Sequence, residues 1–222
     1  MSLSAFSLRI LRISALSLSV MIGCASMIST PAFAQTSAVH ESATTAEGSF
    51  ISDLGQEAIN ILKSTDTSKQ DRTQKFRDLL RRTFDLETIA RFVLGRNWMR
   101  ATEKQQKEYL DLFEQLVVKT YSDRFTLYTG EGFRVTSVDT QGKKDKVVTS
   151  EITHPDGSQA TSVVWRVRNR KGKMGIIDVV VEGISMSVTQ RQEYSAIIQR
   201  NGGDIEALLK MMRSRADDKK EV

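Results

Sequence analysis

The stretch KMGIIDVVVEGISM, residues 173–186, decides how the chain folds. From Lys173 to Val181 it is dense in β-branched residues, which suit a pleated strand and crowd a helix. Three earlier segments share that character: Phe133–Thr140, Val147–Thr153 and Ala160–Arg168. Their connections carry turn chemistry, Gln141-Gly142-Lys143-Lys144, His154-Pro155-Asp156-Gly157 and Arg170-Lys171-Gly172-Lys173. Links this short join antiparallel neighbours, so the four segments predict a meander. On the third segment Val163, Trp165 and Val167 point one way, while Ser162, Arg166 and Arg168, with Val164, point the other. One sheet face is therefore expected to be buried and the other wet.

Helical periods flank the strands. Downstream, a helix is expected from Val188 to about Gln199, stopped by Asn201-Gly202-Gly203. Asp204 then caps a second helix with an Ile205, Leu208, Leu209 and Met212 stripe. Upstream, Ile51, Leu54, Ala58 and Ile61 mark one helix, Phe76, Leu79, Leu80 and Phe84 a second, and Leu86, Ile89, Phe92 and Val93 a third. The segment Leu94-Gly95-Arg96-Asn97-Trp98 interrupts that period. Thr102-Glu103-Lys104-Gln105 reads as a capping box, opening a long amphipathic helix through Tyr109, Phe113, Leu116, Val117, Tyr121 and Phe125. Helices, then a meander, then helices is an α+β order.

The first residues read as an export signal. Arg9 and Arg12 precede an apolar run from Ile13 to Ile28, and no acid occurs before Glu41. Ala32 and Ala34 fit the small-residue pattern of signal cleavage, with the cut after Ala34. The 16-residue run falls short of the roughly 20 residues needed to cross a bilayer. Met21-Ile22-Gly23-Cys24 also looks like a lipobox, in which Cys24 would be acylated. Methionine is atypical at its first position, so Cys24 reads rather as a small hydrophobe of the signal core. The expected organisation is a signal peptide over 1–34, a flexible polar leader over 35–49, one domain over 50–213 and a charged tail over 214–222.

Removing Arg9 and Arg12 from 32 basic residues leaves 30 against 27 acidic ones, a net charge of +3. Such a mild excess gives no reason to expect a nucleic-acid partner. The only cysteine leaves with the signal, so the mature chain forms no disulfide of its own.

The chain has few groups suited to catalysis. Its two histidines are His40, in the leader, and His154, in a Pro-Asp-Gly turn. Neither stands at metal-ligand spacing, so neither a metal nor another cofactor is expected. No nucleophile elbow, phosphate loop or dinucleotide fingerprint occurs. Asp178, alone in its apolar strand, is the one candidate general base of a small pocket enzyme. The competing reading has strand alternation turn it outward, or a backbone amide or an arginine hold it. Apolar and aromatic residues are abundant: Phe92, Trp98, Phe113, Tyr121, Phe125, Tyr128 and Trp165. Filling a core and lining a pocket use the same residue types, so the pattern leaves both open.

Three stretches narrow the choice. Leu94-Gly95-Arg96-Asn97-Trp98-Met99-Arg100-Ala101-Thr102, the run Asp178-Val179-Val180-Val181-Glu182-Gly183-Ile184-Ser185, and Thr189 to Tyr194 together with Gly202–Leu209 resemble the toluene-tolerance, or MlaC, family over roughly Phe50 to Met212. That resemblance implies a curved four-stranded sheet whose helices enclose a deep apolar pocket for phospholipid tails. It also implies a periplasmic carrier passing lipid between an outer-membrane lipoprotein–porin complex and an inner-membrane ABC transporter with its membrane-attached substrate-binding subunit. A hopanoid-associated carrier of the same family is the alternative. No metal, nucleotide or covalent step on the carrier is implied.

From the apolar faces and this layout, the expected lining is Leu94, Phe113, Val117, Tyr121, Phe125, Val163, Trp165, Val167, Val179, Val181, Ile184 and Met186. The family motif implies structural roles for Asp178, Glu182, Gly183 and Ser185. Gly183 and Ser185 would turn strand into helix, and the acids would tie that turn down. Arg96 and Arg191 are candidates to meet a phosphate or a partner.

Overall fold

The strands form one antiparallel sheet in the computed structural model, which describes residues 45–64, 67–122, 128–141 and 144–217. All of these fall within one compact unit, Ala38–Val222. The expected signal segment with Cys24 and Ala34 lies outside the described residues, as does Phe125.

Strands β1 (Gly132–Gln141), β2 (Asp145–Thr153), β3 (Thr161–Arg170) and β4 (Lys173–Val181) pair in sequence order. Their bounds fall close to the β-branched segments. The sheet nevertheless has five strands rather than the expected four. Ile184–Ser185 forms β5, pairing Ser185 with Val180 and Ile184 with Val181. The cause is the turn between them. Glu182 and Gly183 both have positive φ, 48° and 78°, the pairing of a two-residue type I′ hairpin. Glu182 is held there by Ser162: its amide donates to the Ser162 carbonyl at 3.1 Å and its carboxylate accepts the Ser162 amide at 2.6 Å.

Two bulges break the alternation and bend the sheet. Thr136 is the extra residue where Val135 faces Ser150 and Ser137 faces Thr149. In β4 the extra residue is Ile177, because Asp178 pairs with Arg166 while Ile176 pairs with Val167. Strict alternation would have put Asp178 on the same face as Ile176. The bulge lets Ile176 and Val179 share the apolar face and turns Asp178 to the other.

Among the described residues six α-helices and one 3-10 helix surround the sheet. Helix α1 (Ala46–Lys63) starts ahead of its apolar period because the Thr45 hydroxyl accepts the Gly48 amide at 3.1 Å. Ser68 caps α2 (Lys69–Thr83) and Asp85 caps α3 (Leu86–Leu94) in the same way. Gly95 ends α3 with φ +59° and opens a 3-10 helix, Gly95–Arg100, where the period was interrupted. The predicted capping box opens α4 (Glu103–Ser122): the Thr102 amide donates to Gln105 Oε1 at 3.0 Å, and the Gln105 amide to Thr102 Oγ1 at 3.2 Å. Helices α5 (Met186–Arg200) and α6 (Ile205–Asp217) follow the sheet. Asp204 accepts the Glu206 amide at the start of α6, and the helix continues to Asp217.

Two apolar clusters result. One joins α1 and α2 to the sheet through Ile51, Leu54, Ile61, Leu79, Val138, Val148, Val167 and Ile176. The other lies among α3 to α6 and contains Leu94, Tyr109, Phe113, Tyr194, Leu208 and Met212.

Candidate functional site

Strand register arranges the inner sheet face into rows. Val138, Val148, Trp165 and Val179 are successive cross-strand partners. The next row is Val135, Ser150, Val163 and Val181, and a third holds Phe133, Ile152 and Thr161. Residues directly opposite each other share a face, so these rows make one wall. Its burial is graded. Val138 and Val148 are fully buried beneath α1. Val179 and Val181, with Phe133, Val135 and Ile152, are only half-buried. The end of the wall near the starts of β1 and β3 is therefore apolar surface that the described residues leave partly uncovered.

The wall tolerates a fully buried serine because every bond of that residue is satisfied. The fully buried Ser150 hydroxyl accepts the Trp165 indole N–H at 2.9 Å and donates to the Val163 carbonyl at 3.2 Å. This ties the indole to the neighbouring row. The Phe133 ring meets it edge-on, with centroids 6.2 Å apart. Gly55 on α1 makes room for that ring, since a Cβ there would lie 2.2 Å from Phe133 Cδ1.

The expected lining residues separate into groups. Val163, Trp165, Val167, Val179 and Val181 lie together on the wall. Leu94, Phe113 and Val117 belong to the helical cluster instead. Burial pushes the phenols of Tyr109 and Tyr194 in that cluster above their ordinary pKa, and the Tyr109 hydroxyl donates to the Ala90 carbonyl at 2.9 Å. Tyr121 is exposed in the last turn of α4, Ile184 is exposed in β5, and Met186 is half-buried at the start of α5. Phe133, Val135 and Ile152 belong to the wall but escaped the sequence reading. Extending strand alternation from β3 to its neighbours would have found Ile152, but the bulge at Thr136 hides the phase of β1.

Two of the open depressions formed by described residues lie on the helices. One, of about 280 Å³, runs along α2 between Lys69 and Arg77. The other, of about 160 Å³, lies between Leu86, Glu87, Leu110, Asp111, Phe113 and Glu114. Neither lies on the sheet wall, and both are smaller than the ~300 Å³ at which small-molecule pockets begin. The deep apolar pocket expected between sheet and helices is not among them.

Asp178, the one candidate base, is 4% exposed. Its carboxylate accepts the Ser185 hydroxyl at 2.7 Å, the Val179 amide at 2.9 Å and the Ser187 amide at 3.2 Å. These bonds engage it in holding the β4–α5 junction. Arg191 stacks on Phe92, and Arg96 is exposed in the 3-10 helix.

Fold and wall together define an α+β protein built around a bent sheet with one apolar, partly uncovered face. The chain belongs to the MlaC protein family, whose model matches residues 52–214. It is similar to the toluene tolerance protein Ttg2D of Pseudomonas putida, with 23% identity over 155 residues, 68% of this chain and 72% of that protein. Among solved structures it is similar to a phospholipid-binding protein from Ralstonia solanacearum, determined in complex with a phospholipid. The TM-score is 0.66 at 19% identity, covering 76% of this chain and 95% of the other. At that identity the likeness speaks for the fold.

Proposed function

We propose that this protein is a periplasmic lipid carrier that shelters phospholipid acyl chains against the inner face of its sheet. In this reading the segment through Ala34 directs export and is cleaved. The mature protein then moves lipid between an outer-membrane lipoprotein–porin complex and an inner-membrane ABC transporter complex. The observation that carries the reading is the graded wall, in which apolar rows run from full burial at Val138 and Val148 to half-burial at Phe133, Val135 and Val181. Membership of the MlaC family and the phospholipid in the similar solved structure support it.

The energetics favour apolar surface over chemistry. Sheltering a methylene from water is worth about 0.8 kcal/mol, so a 16-carbon chain gains on the order of 10 kcal/mol from a dry, elongated site. A carrier reaches that figure with rows of valine and aromatic side chains and needs no reactive group. The engagement of Asp178 by three donors fits a carrier better than an enzyme with that acid as base.

The test is mass spectrometry of an organic extract of the protein purified from a bacterial host. Co-purifying phospholipid is expected, and a polycyclic extract would reassign the cargo to hopanoids. Protein that emerges free of lipid and takes up none when it is added would refute the reading.

A further inference from the structure

An exposed ridge runs from α3 through the 3-10 helix to the first turns of α5. The Arg191 guanidinium lies 4.9 Å from the centroid of the Phe92 ring. It also rests on Gly95, where a Cβ would come within 3.1 Å of it. Arg96 and Met99 follow in the 3-10 helix, and residues three apart in such a helix eclipse each other on one side. Arg100 reaches the backbone at Gly203, 3.3 Å from the position of a Cβ there. Val188 stands one turn before Arg191 on α5, on the same side.

Two features set this ridge apart. Its apolar members stand in solvent: Met99 is 84% exposed, and Phe92 and Val188 are 41% exposed each. Its arginines are also free of acids. Among the described residues Arg96, Arg100 and Arg191 form no ion pair, and Glu87 of α3 is occupied by Arg91. Three uncompensated guanidiniums beside protruding apolar tips match an interfacial anchor, in which cations meet phosphate and apolar groups enter the headgroup layer.

We propose that this ridge docks the protein on a membrane surface carrying anionic phospholipid. Charge complementarity favours that occupant, and so does area. A specific protein interface buries roughly 1,200 Å² or more, beyond what six side chains on a ridge supply. On a bilayer each basic residue adds about 1 kcal/mol, and apolar tips entering the headgroup layer add a second contribution without a large buried area. The docking concerns the outer ridge and holds whether or not the sheet wall carries lipid.

The test is flotation of the exported protein, purified from a bacterial host without the segment through Ala34, with phosphatidylcholine vesicles, with and without phosphatidylglycerol. Binding is expected on the anionic vesicles only, and raised salt should release it. Each basic residue near an anionic surface contributes about fivefold in affinity, so Arg96→Glu with Arg100→Glu should weaken binding by about 25-fold or more. Met99→Ser, at a position that packs against little, should also weaken binding while leaving its salt dependence unchanged. Equal binding to neutral and anionic vesicles, or undiminished binding of the double variant, would overturn the proposal. Absence of vesicle binding would overturn it too, and would leave the ridge to an acidic protein surface. Lipid content in the organic extract of the same variants separates this outcome from failure of the carrier reading.

Discussion

The Ser185 hydroxyl donates to the Asp178 carboxylate at 2.7 Å, and the same oxygen accepts the Val188 amide at 3.1 Å. One side chain thereby fastens β4 to the first turn of α5 and caps that helix. The bulge at Ile177 makes this possible, because it turns Asp178 away from the apolar wall and under the helix start.

Removing either partner should therefore cost stability. Asp178→Ala would take the acceptor from the buried Ser187 amide and from the half-buried Ser185 hydroxyl, a loss of roughly 3 kcal/mol. Ser185→Ala loses the cap and one hydrogen bond, about 2 kcal/mol. Because the two share a bond, their effects should fall short of additivity by about 1 kcal/mol in urea denaturation. A catalytic Asp178 would show the opposite pattern, with stability retained.

Gly55 and Phe133 form a second dependent pair. Gly55→Ala would place a methyl 2.2 Å from the ring, so Phe133 must shift or α1 must lift from the sheet, at a cost of about 1–3 kcal/mol. In a Phe133→Ala background the same change should be neutral or stabilising, since alanine exceeds glycine in helix propensity by about 1 kcal/mol. Thermal melting of the four proteins checks this. An unchanged penalty in the Phe133→Ala background would mean that the ring is not what α1 rests on.

Local chemistry made much of this fold legible. The Thr102–Gln105 capping box and the four turn-bounded strands could be read because each is specified by residues close in sequence, while the Gly183 turn came from the family motif. What escaped depends on pairing. A strand of two residues, Ile184–Ser185, has no period to read. The faces of Asp178 and Phe133 depend on bulges that exist only once β4 lies against β3 and β1 against β2. The apolar face of the sheet was legible on β3, whose alternation is intact. The packing partners of the helices were not legible, and Leu94 and Phe113 pack into a cluster of their own. Amphipathic faces of helix and strand show that something is buried, but not against which partner.

Asp145 predicts a pH dependence. Arg168 donates to its carboxylate at 2.6 and 2.8 Å, and that hydrogen bonding holds the Asp145 pKa below its ordinary value against the opposing effect of burial. A carboxyl depressed in the folded state stabilises the protein fully above its unfolded pKa, about 4. That contribution is lost as the pH falls through the lower folded value. The stability difference between the natural protein and Asp145→Asn should be flat between about pH 5 and 8 and shrink below about pH 4. Urea denaturation across that range measures it, and a difference that grows on acidification would contradict the assignment.

The graded wall predicts that cargo and stability respond to different residues. If an acyl chain lies along the half-buried end, Val181→Glu sets a charge in its path and denies it three or four methylenes of contact. At about 0.8 kcal/mol each that is close to 3 kcal/mol, or about 100-fold in lipid retention. The half-buried position lets the carboxylate reach water, so folding should suffer little. Val148→Ala, fully buried beneath α1, should do the reverse and lose about 2 kcal/mol of stability while the phospholipid-to-protein ratio of the extract holds. If Val148→Ala emptied the protein of lipid and Val181→Glu did not, the acyl chain would lie at the α1-covered end. The helix would then have to move aside to admit it.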